Sequence, residues 1–442
     1  MDTNRHSKVL LIQALTVGII LLVASVPAPA SSAPLVGPNQ PNDIGDCKRG
    51  GWQAYPHAGF RNQGDCIRFV ITGVFECRDA LGCVRYEDGT SLRIATALWL
   101  DEGEVLGLDS QRGAQLALNE QSDLFGHALE LVPHNDGCSA EGGESAANAI
   151  AADPTVAAVV GTSCSAAARV AAPILSDSGH SMVSPSNTGP DLTAPGTHEA
   201  GYLRVSWNDY DMALAMAEFL EGQGVATSVV IVDGSTYSTG AADAFIDTFD
   251  GDNLTYLTAN PDGSDAAVVI DQVIAQAPDV LFMPVFEPPG SALVNEARAA
   301  PELARTVLAG TDSLADQTFL TAAGVNAEGM FLTGPDTSFT ETSEYQEFAQ
   351  NYFDEFTEEP LTWFAPFGFD AANVILNAIE AVGTVDGDNT LHIGRQALRT
   401  RLFATSGLEG LTGTITCSAL GECNASGLAI LTVEGGQLVP VP

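Results

Sequence analysis

The chain has 442 residues, 45% of them hydrophobic, which is ample for a large core and too apolar for a disordered polymer. Lys and Arg number 17 against 56 Asp and Glu, giving a formal net charge of −39. That excess repels nucleic acid and anionic membrane surfaces, so neither is expected as a partner; it reads as a solvated acidic surface suited to salty surroundings.

The N-terminus has the layout of an export signal. Arg5 and Lys8 form a positive region, residues 9–24 (VLLIQALTVGIILLVA) an apolar one, and Ala28-Pro29-Ala30 a small-x-small cleavage pattern. Residues 1–30 are therefore expected to be a signal peptide, with an uncleaved membrane anchor as the alternative, and the mature protein to be periplasmic or extracellular. Residues 31–45, rich in Ser, Pro, Asn and Gly, read as a flexible leader. Cysteines in an exported chain are best read as disulfides. None of Cys47, Cys66, Cys77, Cys83, Cys138, Cys164, Cys417 and Cys423 forms a CxxC pair, so neither zinc nor thioredoxin-like chemistry has its usual signature, and no cofactor or metal is expected. Residues 46–90 are dense in Cys, Gly and aromatics and read as a small module held by Cys47 with Cys66, beside a loop closed by Cys77 with Cys83.

From residue 91 strands and helices alternate. SLRIATAL, ALELVPHND, VAAVVG, HSMVSPS, GYLRVS, TSVVIVDG, DVLFMPV, RTVLAG and GMFLTG are strand candidates, and helical patterns such as SQRGAQLALNE, ESAANAIAAD and AAARVAAPILSD separate them. This order implies parallel βαβ units, hence a doubly wound α/β architecture, and its length favours two lobes over one. Ligands in such sheets bind beyond the carboxyl ends of strands.

One such junction is Gly161-Thr162-Ser163-Cys164-Ser165, directly before an alanine-rich helix. A helix start offers unpaired N–H groups and a favourable dipole to a carboxylate, and Ser165 adds a hydroxyl; Ser165 equally reads as a cap of its own helix. A second junction, SMVSPSNTGPDLT, crowds Ser184, Ser186, Asn187 and Thr188 into one loop, either a polar small-molecule site or a plain turn cluster. A nucleophile fits poorly. GxSxG is absent, and no local base accompanies Cys164, with His127, His134, His180 and His198 scattered. Cys138, in NDGCSAEGG, follows a neighbouring strand, and pairing it with Cys164 would stabilise the fold by about 3 kcal/mol.

Taken in order, GLDSQRGAQLA, NDGC with GTSCSAAA, SPSNTGPDLT, VDGSTYSTGAA, GTDSLADQTFLTAAGVNAEGMFLT and FAPFGFDAANVI make residues 92–440 resemble type I periplasmic solute-binding proteins of ABC transporters, in particular the leucine/isoleucine/valine-binding group. The resemblance implies two mostly parallel sheets flanked by helices and joined by a three-segment hinge. Lobe one would hold residues 91–205 plus 335–413 and lobe two 206–334 plus 414–442, with crossovers near Val205, Gly334 and Gly413. Cys417 and Cys423 would staple a turn in the final hairpin. Residues 46–73 resemble a short module attached to various secreted bacterial proteins.

The resemblance also implies a site. Cys138 and Cys164 match the disulfide that sets the first binding loop, and Ser165 and Thr188 match hydroxyl donors to a ligand α-carboxylate. Asn187 matches a position whose backbone helps hold ammonium and carboxylate, Tyr237 an aromatic closing from the other lobe, and Asp312 an acidic partner of the α-ammonium. Leu106, Phe286, Phe364 and Phe367 are the implied pocket lining, with core packing as the alternative for each aromatic. Two departures stand out: Phe286 replaces a common tyrosine, and Asp312 is a methylene shorter than the usual glutamate. The implied role is capture of an apolar amino acid for an ABC permease, not catalysis. A membrane-anchored sensor, or a binder of amides, urea or aromatic acids, is the alternative.

Overall fold

A computed structural model describes residues 39–423 and 427–441 of the chain. The expected signal peptide and residues 31–38 of the leader lie outside the described residues. Among the described residues no helix is long and apolar enough to cross a membrane.

Every expected strand forms. The first sheet runs, edge to edge, Asp123–Leu124, His127–Asn135, Leu92–Leu98, Val156–Gly161, Met182–Ser184 and Tyr202–Arg204, parallel throughout except at the short first strand. Central strands such as Val156–Gly161 are buried along their whole length, because helices cover both faces of a parallel sheet. The second sheet runs Gln437–Pro440, Leu428–Glu434, Phe331–Pro335, Val307–Gly310, Val280–Met283, Thr227–Val232 and Asp252–Thr258. Its last strand has no counterpart in the sequence reading. DNLTYLT alternates exposed and half-buried residues at the sheet edge, so it lacks the continuous apolar run that marks the others.

The chain leaves the first sheet after Arg204 and returns after Pro335. The third passage differs from the expectation at Gly413. Residues 414–423 stay with the first lobe, where Cys423 N donates to Arg204 O at 2.9 Å and Arg204 N to Gly421 O at 2.9 Å. From Leu428 the chain lies in the second sheet, and the Cys417–Cys423 disulfide staples a turn beside the first sheet instead of the final hairpin Leu428–Pro440.

Helix Phe364–Val382 is the hub of the first lobe, buried on nearly all sides. It crosses helix Leu106–Gln121 at mutual glycines: a Cβ on Gly113 would meet Ala365 O at 1.8 Å, and one on Gly368 would meet Ser110 O at 2.1 Å. Any side chain there would push the two helices apart.

The N-terminal region is part of lobe one. Cys83–Tyr86 pairs antiparallel with Leu391–Gly394, and the Asp79 carboxylate accepts from Gln396 N (2.8 Å) and Ala397 N (2.9 Å) at the start of helix Arg395–Phe403. The end of the expected flexible leader is also docked. Gln40 is buried, its side-chain amide exchanging hydrogen bonds with both backbone groups of Val385 at 3.1 and 2.8 Å, as an added strand residue would. The cysteines pair as Cys47–Cys66, Cys77–Cys83, Cys138–Cys164 and Cys417–Cys423.

Candidate functional site

The first candidate loop is built by a buried carboxylate. Asp136, just past the strand His127–Asn135, accepts from Cys138 N at 2.8 Å with one oxygen and from Ser163 N at 2.7 Å with the other. Burial pushes its carboxyl up to about 6 while these two N–H donors pull it back. With the Cys138–Cys164 disulfide, they fix the turn into helix Ser165–Asp177. Ser165 is the first residue of that helix and not its cap. Cys164 holds the cap position without a side-chain bond, and the Ser165 hydroxyl accepts from Gly189 N at 3.0 Å instead. The helix start thus presents N–H groups and a hydroxyl with no acidic side chain in its first turn.

That bond reaches the second candidate loop. Ser184 Oγ donates to Thr162 O (2.8 Å) and accepts from Asn187 N (2.9 Å); Asn187 Oδ1 accepts from Thr162 Oγ1 (3.1 Å) and Tyr202 OH (3.2 Å). Asn187 is fully buried, and its Nδ2 has no partner among the described residues. Beneath the loop lies Arg204, also fully buried. Its guanidinium donates to Asn187 O (3.2 Å), Gly189 O (2.9 Å) and Thr193 Oγ1 (2.7 Å), and pairs with Glu422. The sequence reading missed Arg204. Its one signal was a lone cation ending an apolar strand, in a chain with only 17 Lys and Arg.

The second lobe contributes from its own strand ends. Tyr237, on helix Thr236–Thr248, donates to Asp312 Oδ1 at 2.6 Å and lies 2.8 Å from Thr311 Oγ1. The Phe286 ring sits 5.0 Å from the Tyr237 ring, tilted 40°, and stays 38% exposed. Phe286 N is tethered to Asp233 Oδ2 at 2.9 Å.

Between the two groups stands a second acid that the sequence reading also missed. Asp209 begins helix Asp209–Gly222, is nearly fully buried, and its N donates to Thr188 O at 2.8 Å. Burial, then the charge of Asp312, push its carboxyl up to about 7, with the Thr188 hydroxyl opposing. Asp312 is itself pushed up to about 6 by burial, with the Tyr237 hydroxyl opposing. Burial and both carboxylates hold the Tyr237 phenol well above its ordinary value. Asp209 Oδ1 has no hydrogen-bond partner among the described residues. Two confined carboxylates, both raised by burial and one of them also by the charge of the other, with one oxygen free, form a receptor for a cation with several donors. Thr188, Asp209, Asp312, Tyr237 and Phe286 are thereby brought together from both lobes.

The aromatic lining divides. Phe364 is half-buried and lies 5.9 Å from Trp207, whose indole comes close enough to Asp312 to oppose the rise in its pKa. Phe367, expected in the lining, is instead fully buried, edge-on to Trp207 at 5.2 Å and near Phe339 at 6.4 Å. Phe367 lies on the apolar side of its helix, away from Asn373, Asn377 and Glu380, and faces the core. Leu106 stands apart from the bond network, half-buried at the first turn of its helix.

Comparison with known proteins gives the family and the fold. The family model described as periplasmic binding protein matches residues 102–437. A Leu/Ile/Val-binding protein homolog of Brucella melitensis is 25% identical over 340 residues, 74% of this chain and 87% of that protein. The Leu/Ile/Val-binding protein of Escherichia coli is 26% identical over 224 residues, 49% of this chain and 59% of its own. Among solved structures, a leucine binding protein from Thermotoga maritima superposes with a TM-score of 0.69 at 21% identity, covering 79% of this chain and 98% of that one. A solute binding protein from R. palustris in complex with benzoate gives 0.68 at 18% identity, covering 79% and 95%. At these identities the two structures speak for the fold.

Proposed function

Because the chain belongs to the periplasmic binding protein family, whose members capture solutes and do not catalyse reactions, we propose that it is an exported receptor that closes on a branched-chain or other small apolar amino acid and delivers it to an ABC permease. The start of helix Ser165–Asp177, with the Ser165 and Thr188 hydroxyls, takes the α-carboxylate. Asp312 and Asp209 take the α-ammonium. Asn187 donates from its free amide nitrogen, Tyr237 closes from the second lobe, and Phe286, Phe364 and Leu106 face the side chain. Closure is a hinge motion that the ligand biases.

The observation that carries this reading is the acid pair opposite an uncapped helix start. It complements a zwitterion, and it answers the short reach of Asp312, since Asp209 supplies a second carboxylate beside it. A benzoate-like acid or urea would bring no cation to that pair.

The test is calorimetric titration of the mature protein, unfolded and refolded to strip carried-over ligand, with leucine, valine, phenylalanine, glutamate, urea and benzoate. Leucine or valine binding that is lost in Asp312→Asn is the expected result. Binding of benzoate or urea alone overturns the zwitterion assignment. N-terminal sequencing of the exported protein separates the two cellular roles: a start near Ser31 fits a released receptor, and retention of residue 1 fits an anchored sensor.

A further inference from the structure

The segment Leu361–Phe364 links the lobes beside the ligand cluster, through a residue that is not itself part of it. It belongs to lobe one, where Phe364 packs against the first core. The Trp363 indole Nε1 donates to Ala315 O at 2.9 Å. Ala315 is a buried member of the second lobe's core, and it closes the turn Asp312–Leu314, its own N donating to Asp312 O at 2.9 Å. One side-chain bond thus runs from lobe one to the turn that carries Asp312.

The donor is held rigidly from behind. Asp109, fully buried on helix Leu106–Gln121, accepts from Leu361 N at 2.8 Å, Thr362 N at 2.6 Å and Tyr352 OH at 2.6 Å. A buried carboxylate with three donors and no ion-pair partner among the described residues serves to fix the backbone just before Trp363. Arg112 braces the same corner, reaching Tyr352 OH at 3.3 Å and Glu358 at 2.7 Å.

We infer that Trp363 is a positioning residue that latches the closed form, its indole N–H gripping the Asp312 turn across the lobes while Asp109 sets its place. In the open form that N–H and the Ala315 carbonyl are hydrated, so the bond exists only in the closed state. Its net worth appears directly in the closed population and hence in apparent affinity. This rests on the reading of the protein as a closing receptor and adds a residue that touches no proposed ligand atom.

The test is Trp363→Phe, which keeps a ring at the start of helix Phe364–Val382 and removes the donor. With leucine as probe, the dissociation constant is expected to rise by about three- to tenfold, mainly through faster dissociation, at an unchanged ligand-free melting midpoint. A lower midpoint with unchanged leucine kinetics would make Trp363 a packing residue and overturn the latch. Amide exchange is measured in parallel on wild type and variant, each saturated with whichever ligand of the calorimetric panel wild type binds. Faster exchange over residues 311–315 in saturated Trp363→Phe supports the latch whatever that ligand is, and unchanged exchange there overturns it. If wild type fails to bind leucine, only the ligand assignment falls, and the exchange result still decides the latch.

Discussion

Arg204 and Glu422 lie 218 residues apart in sequence and meet beside the hinge, with Arg204 Nε 2.9 Å from Glu422 Oε2. The remaining nitrogens of the same guanidinium hold the carbonyls of Asn187 and Gly189 and the Thr193 hydroxyl. One buried cation thus ties the loop that offers Thr188 to the strap entering the third crossing. Arg204→Met is expected to cost about 3 kcal/mol in denaturant unfolding, because it strands a partly buried carboxylate, and to weaken ligand binding about tenfold by loosening the loop. Arg204→Met with Glu422→Gln should recover part of the stability and none of the affinity. Recovery of both would assign Arg204 to stability alone.

The Cys138–Cys164 bridge closes 26 residues of sequence between two loop starts of the first sheet. Replacing both cysteines with serine is expected to cost about 3 kcal/mol on the chain-entropy account. Asp136 still bonds Ser163 N in that variant, so the Ser165 helix start should survive and affinity should fall only severalfold. Guanidinium unfolding and calorimetry on the same sample separate the two effects. Complete loss of binding would mean that the disulfide alone builds the loop.

What the sequence made legible, and what it hid, follows from distance along the chain. Apolar runs such as VAAVVG are buried on both faces, so they announced their strands; DNLTYLT is an edge strand half in water and did not. Ser165 and Asn187 sit in local motifs, which single them out as candidates from the sequence. Arg204 and Asp209 take their meaning from Glu422 and Asp312, more than a hundred residues away, and no local pattern marks them. Phe364 and Phe367 lie three residues apart on the same side of their helix, away from its polar stripe Asn373, Asn377 and Glu380, so periodicity could not say that one faces Trp207 from a half-open position while the other is sealed in the core.

Asp312 and Asp209 are expected to carry unequal shares of an ammonium. Asp312 is already committed to Tyr237 through Oδ1, whereas Asp209 has an oxygen without a partner. Asp312→Asn should weaken leucine binding on the order of 100-fold, since a confined charge-assisted contact is lost. Asp209→Asn keeps the shape and should weaken it by at least tenfold, with a rise in ligand-free stability because a buried charge is removed. Unchanged affinity in Asp209→Asn would leave the ammonium to Asp312 alone.

The same pair predicts opposite pH trends for stability and binding. In the ligand-free protein the carboxyls of Asp312 and Asp209 are pushed up to about 6 and about 7, above their unfolded value of 3.8. The folded state therefore binds more protons than the unfolded chain between about pH 4 and 7, and stability falls as pH rises through that window. An ammonium favours both carboxylates, so binding expels their protons and tightens over the same range. The dissociation constant for leucine should be about tenfold larger at pH 5 than at pH 7.5, and the melting shift induced by leucine should grow with pH. The −39 net charge also favours acid stability in the free protein, so the contribution of the pair is read as the difference between wild type and Asp209→Asn. Titrations at pH 6.5 in buffers of different ionisation enthalpy count the released protons. Net proton uptake on binding would show that the ligand meets these carboxyls in their neutral form, and would remove the ammonium from the site.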